Sequence, residues 1–359
     1  MLLMCDIMFI KKINGNNKGY LKPPNTEEIK MKLLPFPDTP IFLSYHNRAF
    51  PFGVVQANSP EDITKWACTK CINCRFYSES ETNKFIFAVN DLWGVDEGIM
   101  SQQTLQIQEE YFELFNMDLL NILKTAIDNG CYIHGGYNER YVPCKSAYNQ
   151  MDFMHDFLII GYNEENFISV GYVDDGPLKR FEIPIPDLVK AVTRTADGRT
   201  NINLFKYNER TIPKPNIKRA VEDLNKYIST ASYFENPIQK TRLYGIAACI
   251  RLKDFFVEEI ENGCVFVDKR YLLAFYEHKR ILAKLAELFL DSDKDQLVNI
   301  AKKNLEMAKS AHMLGLKINC NGNTSSINRI AELMNRIVVE EIKYIPDLIE
   351  LLQKRFLIV

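Results

Sequence analysis

A short apolar hairpin is the feature of this sequence that most limits its fold. Residues 157–162 and 167–173 are two runs of strand-forming residues, and the polar residues 163–166 between them are typical of a turn. Strands joined in this way pair antiparallel, so the start of the first lies beside the end of the second. His155 stands at that start and Asp174 follows that end. The sequence therefore predicts a histidine and an acid as neighbours at one edge of an antiparallel sheet.

The predicted histidine–acid pair has a chemical use. An acid that hydrogen-bonds one imidazole nitrogen fixes the tautomer and leaves the other nitrogen as a base. The alternative is a surface histidine beside a solvated acid. The junction of strand and loop favours the functional interpretation, because reactive groups concentrate there. Asp175 is the alternative acid, one residue further on.

Composition excludes several classes of protein. A net charge of −2 over 359 residues argues against a dedicated nucleic-acid binder. Nine cysteines at irregular spacing are typical of free thiols in a reducing compartment rather than of a disulfide framework. The apolar start is interrupted by Asp6 and lacks a basic leader, so neither a signal peptide nor a membrane span is expected. We expect a soluble, cytoplasmic protein.

The pattern along the chain predicts three parts. Residues 1–40 form an N-terminal arm, residues 41–210 an α+β domain around an antiparallel sheet, and residues 211–359 an all-α helical bundle. Two prolines within residues 211–216 mark the second boundary. In the α+β part, residues 41–44 and 52–56 are short apolar runs, and we expect the first to be a strand. We also expect a helix beginning near Ser59 and a mostly helical stretch over 103–129.

Three cysteines at three-residue spacing, Cys68, Cys71 and Cys74, allow three interpretations. They could bind a metal, with Cys131 or Cys144 as a fourth ligand. They could be buried apolar side chains on one helix face. Alternatively, one of them is a nucleophile activated by His155, in the chain order Cys–His–Asp. His46, which follows an apolar run, is a candidate for lining such a cleft, but a core or surface position is the expected one.

Four segments between residues 130 and 162 carry a family resemblance: Gly130-Cys-Tyr-Ile-His, Tyr141-Val-Pro, Ala147-Tyr and Phe153-Met-His-Asp-Phe-Leu-Ile-Ile-Gly-Tyr. Together they resemble the N-terminal domain of the butirosin biosynthesis protein H family. The resemblance covers residues 40–195. It implies a papain-like fold and a cysteine-dependent acyltransferase that forms an amide bond in nonribosomal peptide-like antibiotic assembly. The acyl donor would be a thioester on the phosphopantetheine arm of an acyl or peptidyl carrier protein, and the acceptor a small amine. No bound cofactor or metal is expected.

The resemblance also implies roles for particular residues. His155 matches the family's histidine, and Asp174 falls where its partner acid is expected. The family's histidine–cysteine pair at a helix start has no clear counterpart, because the corresponding region here reads Ser44-Tyr45-His46-Asn47. The nucleophile then comes from the loop of Cys68, Cys71 and Cys74, with Cys71 ranked first, or the chain is a non-catalytic binding relative.

Two further expectations depend on the resemblance. The same residues with water as acceptor would make a papain-like peptidase or amidase. An acidic carrier protein would dock on basic residues near the site entrance, for which the candidates are Lys70, Arg75, Lys145 and Lys179.

Overall fold

The computed structural model describes residues 31–79, 82–173, 176–193, 199–229, 242–290 and 296–356. Its strands are β1 Met31–Leu33, β2 Cys74–Glu79, β3 Thr82–Phe87, β4 Met100–Gln108, β5 Cys131–Asn138, β6 Met154–Asn163, β7 Asn166–Tyr172, β8 Leu178–Pro184, β9 Arg199–Tyr207 and β10 Arg242–Tyr244. Its α-helices are α1 His46–Asn58, α2 Thr64–Lys70, α3 Glu109–Leu114, α4 Leu119–Asp128, α5 Ile185–Thr193, α6 Ile217–Ile228, α7 Gly245–Glu261, α8 Lys269–Phe289, α9 Gln296–Asn321 and α10 Ile327–Phe356. Across these segments, no helix is both long and apolar enough to cross a membrane.

A seven-stranded antiparallel sheet forms the centre of the first half, in the order β4–β9–β5–β6–β7–β8. The remaining strand, β1, pairs with the last residues of β6, on the edge that β5 leaves uncovered. This pairing requires a glycine at position 161. A Cβ there would lie 2.4 Å from the carbonyl oxygen of Lys32, which is closer than any side chain allows.

The hairpin predicted from the sequence is confirmed as β6 and β7. Leu158 pairs with Val170 and Tyr162 with Phe167. The turn is closed by the Asn163 side chain, whose oxygen accepts hydrogen bonds from the backbone N–H groups of Glu165 and Asn166. The mixed class with a central antiparallel sheet is therefore confirmed, while a papain-like fold remains a prediction.

Two local predictions differ from the structure. Residues 41–44, predicted as a strand, form no strand, and the apolar run 52–56 belongs to α1. Helix α1 was missed because every residue from Arg48 to Val55 is buried, so it lacks the polar face that reveals a surface helix. The predicted helix over 103–129 is only partly present. Its beginning is strand β4, where Leu105 and Ile107 alternate with polar residues as in a half-exposed strand.

The helical second half is confirmed, but it shares strands and core with the first half. Strand β10 pairs with β2, which pairs with β3, giving a small three-stranded sheet built from both halves. Helix α8 packs against this sheet, with the rings of Phe85 and Phe275 6.2 Å apart. The predicted boundary at residues 211–216 lies between β9 and α6.

Helix α8 also fixes the segment that leads into α1. The buried Glu277 carboxylate accepts hydrogen bonds from the backbone N–H groups of Leu43 at 2.5 Å and of Ser44 at 3.3 Å. Three residues further along α8, Arg280 donates to the carbonyl oxygen of Ile41. The second half of the chain therefore determines where α1 begins, and with it the position of His46.

A fully buried ion pair joins two helices of the second half. Lys279 on α8 and Glu341 on α10 approach to 2.8 Å, and their side chains are 1% and 0% exposed. The hydroxyl of Tyr227 on α6 donates to the same Glu341 oxygen at 2.6 Å and accepts from Lys279 at 2.8 Å. A buried charge is tolerated when it is paired and hydrogen-bonded in this way.

We expect Lys279→Met to lower the free energy of unfolding by about 3–5 kcal/mol, because it leaves the Glu341 carboxylate buried without its counter-charge. The double variant Lys279→Met/Glu341→Leu should recover much of that loss, since both charges are then absent. Urea denaturation followed by circular dichroism measures the change. The matched control is Lys343→Met, which breaks an exposed pair with Glu340 and should cost less than about 1 kcal/mol. Equal costs for the two single variants would contradict the prediction.

Candidate functional site

The imidazole of His155 is held by Glu139. His155 is the second residue of β6, and Glu139 begins a short 3-10 helix, Glu139–Tyr141, directly after β5. Nδ1 of His155 lies 2.9 Å from Oε1 of Glu139. A carboxylate can only accept a hydrogen bond, so Nδ1 carries the proton and Nε2 has the lone pair of a base. The acid is nearly buried, with 6% of its side chain exposed, whereas the imidazole is 34% exposed.

Glu139 is kept ionised by a second partner, Lys145. Burial raises the pKa of the Glu139 carboxyl, but hydrogen bonds from His155 and Lys145 and the charge of the lysine outweigh it, and the pKa lies below its usual value. Nζ of Lys145 is 2.7 Å from the same Oε1 atom and also donates to the carbonyl oxygen of Tyr172. The result is a pre-arranged chain from lysine to carboxylate to imidazole.

A second imidazole–carboxylate pair lies beside the first. His46, the first residue of α1, places Nε2 3.0 Å from Oδ2 of Asp156 on β6. The rings of His46 and His155 are 5.8 Å apart between centroids. The pKa of the Asp156 carboxyl is lowered because its hydrogen bond with His46 and the nearby imidazoles outweigh the opposing effect of burial. Two acid-held imidazoles thus meet at the start of α1 and of β6.

A third histidine, His134 on β5, completes the cluster but is a weak base. Its ring centroid is 6.4 Å from that of His46, and its Nε2 is 3.9 Å from Oδ2 of Asp156, too long for a hydrogen bond. The rings of Phe50 and Trp93 pack around it. Burial lowers the pKa of His134 to about 4, against the opposing effect of Asp156. His134 is therefore uncharged near neutral pH.

The three candidate nucleophiles lie apart from this cluster. Cys68 and Cys71 belong to α2 and its end, Cys74 begins β2, and all three are fully buried. Burial raises the pKa of Cys68 to about 12, and it raises the pKa of the other two thiols as well. Over the part of the chain that the structure describes, the partners of His155 are Glu139, His46 and Phe153, and none of the three thiols is among them.

Helix α1 explains this separation. His46 and Phe50, one turn apart, face the large sheet, where both contact His134. Arg48 and Phe52 face the other way. Arg48 donates to the carbonyl oxygen of Phe87 in β3, and the ring of Phe52 packs on Trp66 of α2. The segment of the three cysteines therefore packs on the face of α1 opposite to the histidines.

The acid that contacts His155 in the structure is not one of the two predicted acids. Asp174 and Asp175 lie outside the described residues. Glu139 was not predicted as a partner of His155. The sequence does contain a signal for this contact. The strand predicted at 131–137 pairs with β6 and places Tyr137 opposite His155. Glu139, two residues after Tyr137, therefore lies within reach of the imidazole. Recognising it required knowing which strand flanks β6.

Two of the basic residues proposed to receive a carrier protein are buried ion-pair partners, which corrects that expectation. Lys145 is paired with Glu139, and Lys70 lies 2.9 Å from Glu97 and 3.5 Å from Asp91. Lys70 lines a cavity of about 470 Å³ that also includes Trp66 and Arg219, with none of the three clustered histidines among its lining residues. Lys179 is exposed and remains a candidate.

No group of three or more His, Cys, Asp or Glu side chains suited to a metal ion occurs within the described residues. Comparisons with protein-family models and with curated proteins give no match for this chain. The interpretation of the site therefore depends on its geometry and on the sequence resemblance described above.

The buried His134 should make the protein less stable in mild acid. Its pKa of about 4 lies below the ordinary value near 6.5, so the unfolded state binds the proton more readily between these two pH values. The part of the free energy of unfolding that depends on neutral His134 is fully present above about pH 6.5. It falls by about 3 kcal/mol as the pH drops to about 4. His134→Phe should remove this part of the pH dependence. Urea midpoints between pH 4 and pH 7 measure it. The control is His312→Phe, on a half-buried imidazole, which should have a smaller effect. An unchanged slope in His134→Phe would contradict the assignment.

Proposed function

We propose that this protein is an acyltransferase that forms an amide bond between a carrier-protein thioester and a small amine. The observation that supports the proposal is the 2.9 Å contact between Nδ1 of the half-exposed His155 and the buried, ionised Glu139. Such a pair is the usual device for general-base catalysis. The thioester donor is suggested by the sequence resemblance. We assign the reaction to the cytoplasm, since nine irregularly spaced cysteines favour a reducing compartment.

The reaction we propose proceeds without an acyl-enzyme. Nε2 of His155 takes a proton from the amine as its nitrogen attacks the thioester carbonyl carbon. The tetrahedral intermediate then collapses, the carbon–sulfur bond breaks, and the pantetheine sulfur leaves and takes up a proton. Direct transfer is preferred to a Cys71 nucleophile because that thiol is buried, its pKa is raised, and it lies beyond α1 from the imidazoles.

The second imidazole has a matching role in this scheme. His46 is paired with Asp156 and lies 5.8 Å from His155 between ring centroids, so in this proposal both imidazoles act on one reacting group. In its protonated form His46 supplies the proton that the departing sulfur needs. An acid and a base supplied by two similarly paired groups is a common arrangement at sites of acyl transfer.

A non-catalytic relative is the second candidate function, and a specific observation favours it. Helix α1 begins at His46, so Asn47 stands in the first turn, within the region where the family has its histidine–cysteine pair. The side-chain oxygen of Asn47 is buried and has no hydrogen-bond partner among the described residues. An amide at this position cannot act as the nucleophile. A chain of this kind would bind the acylated carrier protein without transferring the acyl group.

We expect His155→Ala to lower the rate of amide formation by about 10²–10⁴-fold, because the base is lost. Glu139→Gln should cause a smaller loss, since the imidazole remains but is no longer oriented by an anion. The assay follows a short acyl-pantetheine thioester with and without amine by liquid chromatography and mass spectrometry. The control is Glu164→Gln in the exposed β6–β7 turn.

The products distinguish the candidates. Release of free acid in place of amide would favour the peptidase or amidase alternative. No turnover by the wild type, together with binding of the acylated carrier protein, would favour the non-catalytic relative.

If Asn47 replaces a nucleophile, Asn47→Cys should create a fast-reacting thiol. A cysteine in the first turn of a helix beside an imidazole has a lowered pKa, so alkylation by iodoacetamide should be at least about tenfold faster than at an ordinary exposed thiol. The matched control is Lys218→Cys, at the same position in helix α6. Rates are read by peptide mass mapping. Equal rates at the two positions would remove the proposed correspondence.

A further inference from the structure

The sulfur atoms of two cysteines from different halves of the chain are in van der Waals contact. Cys74 begins β2 and Cys249 lies in α7, 175 positions later, and their Sγ atoms are 3.8 Å apart. Both side chains are fully buried. A disulfide has a sulfur–sulfur distance of about 2.05 Å, so closing the gap needs a movement of under about 2 Å.

The surroundings of the two sulfur atoms differ. Sγ of Cys249 is 3.7 Å from Nζ of Lys279 and 3.5 Å from the hydroxyl of Tyr227. Sγ of Cys74 instead faces the carbonyl oxygen of Gly245 at 3.5 Å, to which a thiol donates. An ammonium stabilises a thiolate, whereas a carbonyl oxygen stabilises a protonated thiol. The geometry thus divides the pair into a nucleophile, Cys249, and a resolving thiol, Cys74.

The acidities of the two thiols support this division. Burial raises the pKa of Cys249, but the interaction with Cys74 and the charge of Lys279 outweigh it, and the net direction is downward. For Cys74, burial and the interaction with Cys249 both raise the pKa. The cluster that holds Lys279, Tyr227 and Glu341 therefore serves an ionisable sulfur in addition to a buried ion pair.

We propose that Cys74 and Cys249 are a redox modification site at which a peroxide forms a reversible disulfide. The Cys249 thiolate attacks one peroxide oxygen, the O–O bond breaks, and a sulfenic acid and hydroxide form. Cys74 then attacks the sulfenic sulfur, the S–S bond forms, and water leaves with the Cys74 proton. Overall, two thiols and one hydrogen peroxide give one disulfide and two waters.

Burial restricts the chemistry rather than preventing it. Hydrogen peroxide is small and uncharged, so it reaches an interior site through local opening, whereas a bulky charged disulfide does not. Once a sulfenic acid forms at Cys249, Cys74 is the thiol within reach. The bond would join β2 of the first half to α7 of the second half and thus fasten the small sheet to the helices. This site is separate from the proposed acyl-transfer site, and its test does not depend on catalysis.

The test uses the full-length protein. Exposed thiols such as Cys320 are first blocked with iodoacetamide under native conditions, and hydrogen peroxide is then added. The protein is unfolded, remaining thiols are alkylated with a second reagent, and peptides are mapped by mass spectrometry. We expect a cross-linked peptide that contains Cys74 and Cys249 and that separates on reduction. We also expect the urea midpoint to rise on oxidation of the wild type.

Two variants complete the test. Cys74→Ser should leave a sulfenic acid on Cys249 that dimedone traps when it is present during unfolding, and oxidation should no longer raise the urea midpoint. Cys68→Ser, at a buried thiol outside the pair, should behave as the wild type. Recovery of Cys74 and Cys249 as free thiols from the wild type, at peroxide levels that oxidise the exposed cysteines of an unblocked sample, would overturn the proposal. A bridge between Cys249 and Lys279, in place of the disulfide, would overturn it equally.

Discussion

The packing of helix α1 between the large sheet and the small sheet decides which reactive side chains can meet. Its residues alternate between the two layers, so His46 and Phe50 reach the cluster on β5 and β6, while Arg48 and Phe52 reach β3 and α2. Because α1 is covered on both sides, it separates the two layers by about 10 Å, which is the diameter of a helix with its side chains. The imidazoles and the candidate thiols lie on opposite sides of it, and a cysteine-based mechanism loses its geometric support for that reason.

The chemistry of the site in turn depends on one buried carboxylate. Glu139 alone would be driven towards its neutral form by burial, and a neutral acid would not fix the His155 tautomer. The hydrogen bond with His155 and the hydrogen bond and charge of the buried Lys145 together keep Glu139 ionised. A residue that resembles a surface cation in the sequence is thus part of the machinery that orients a base.

Features set by residues that are close together in the sequence could be predicted, whereas features set by distant residues could not. The β6–β7 hairpin was predictable because its strands and its Asn163 turn are neighbours in sequence, and the later helices were predictable from their apolar periodicity. Helix α1 was not predictable, because a uniformly buried segment has no period to read. The partnership of His155 with Glu139 was missed for another reason. It depends on β5 lying beside β6, a pairing that no local pattern specifies.

The helical half has a direct part in the candidate site. Four consecutive residues of α8 bind three different parts of the molecule. Glu277 binds the backbone before α1, and His278 contacts the carbonyl oxygen of Ile72 after α2. Lys279 enters the buried cluster with Cys249, and Arg280 binds Ile41. One helical turn therefore contacts the segment before α1, the end of α2 and the Cys249 thiol together. Formation of the proposed Cys74–Cys249 disulfide would act on this turn, and through Glu277 it has a short physical route to His46.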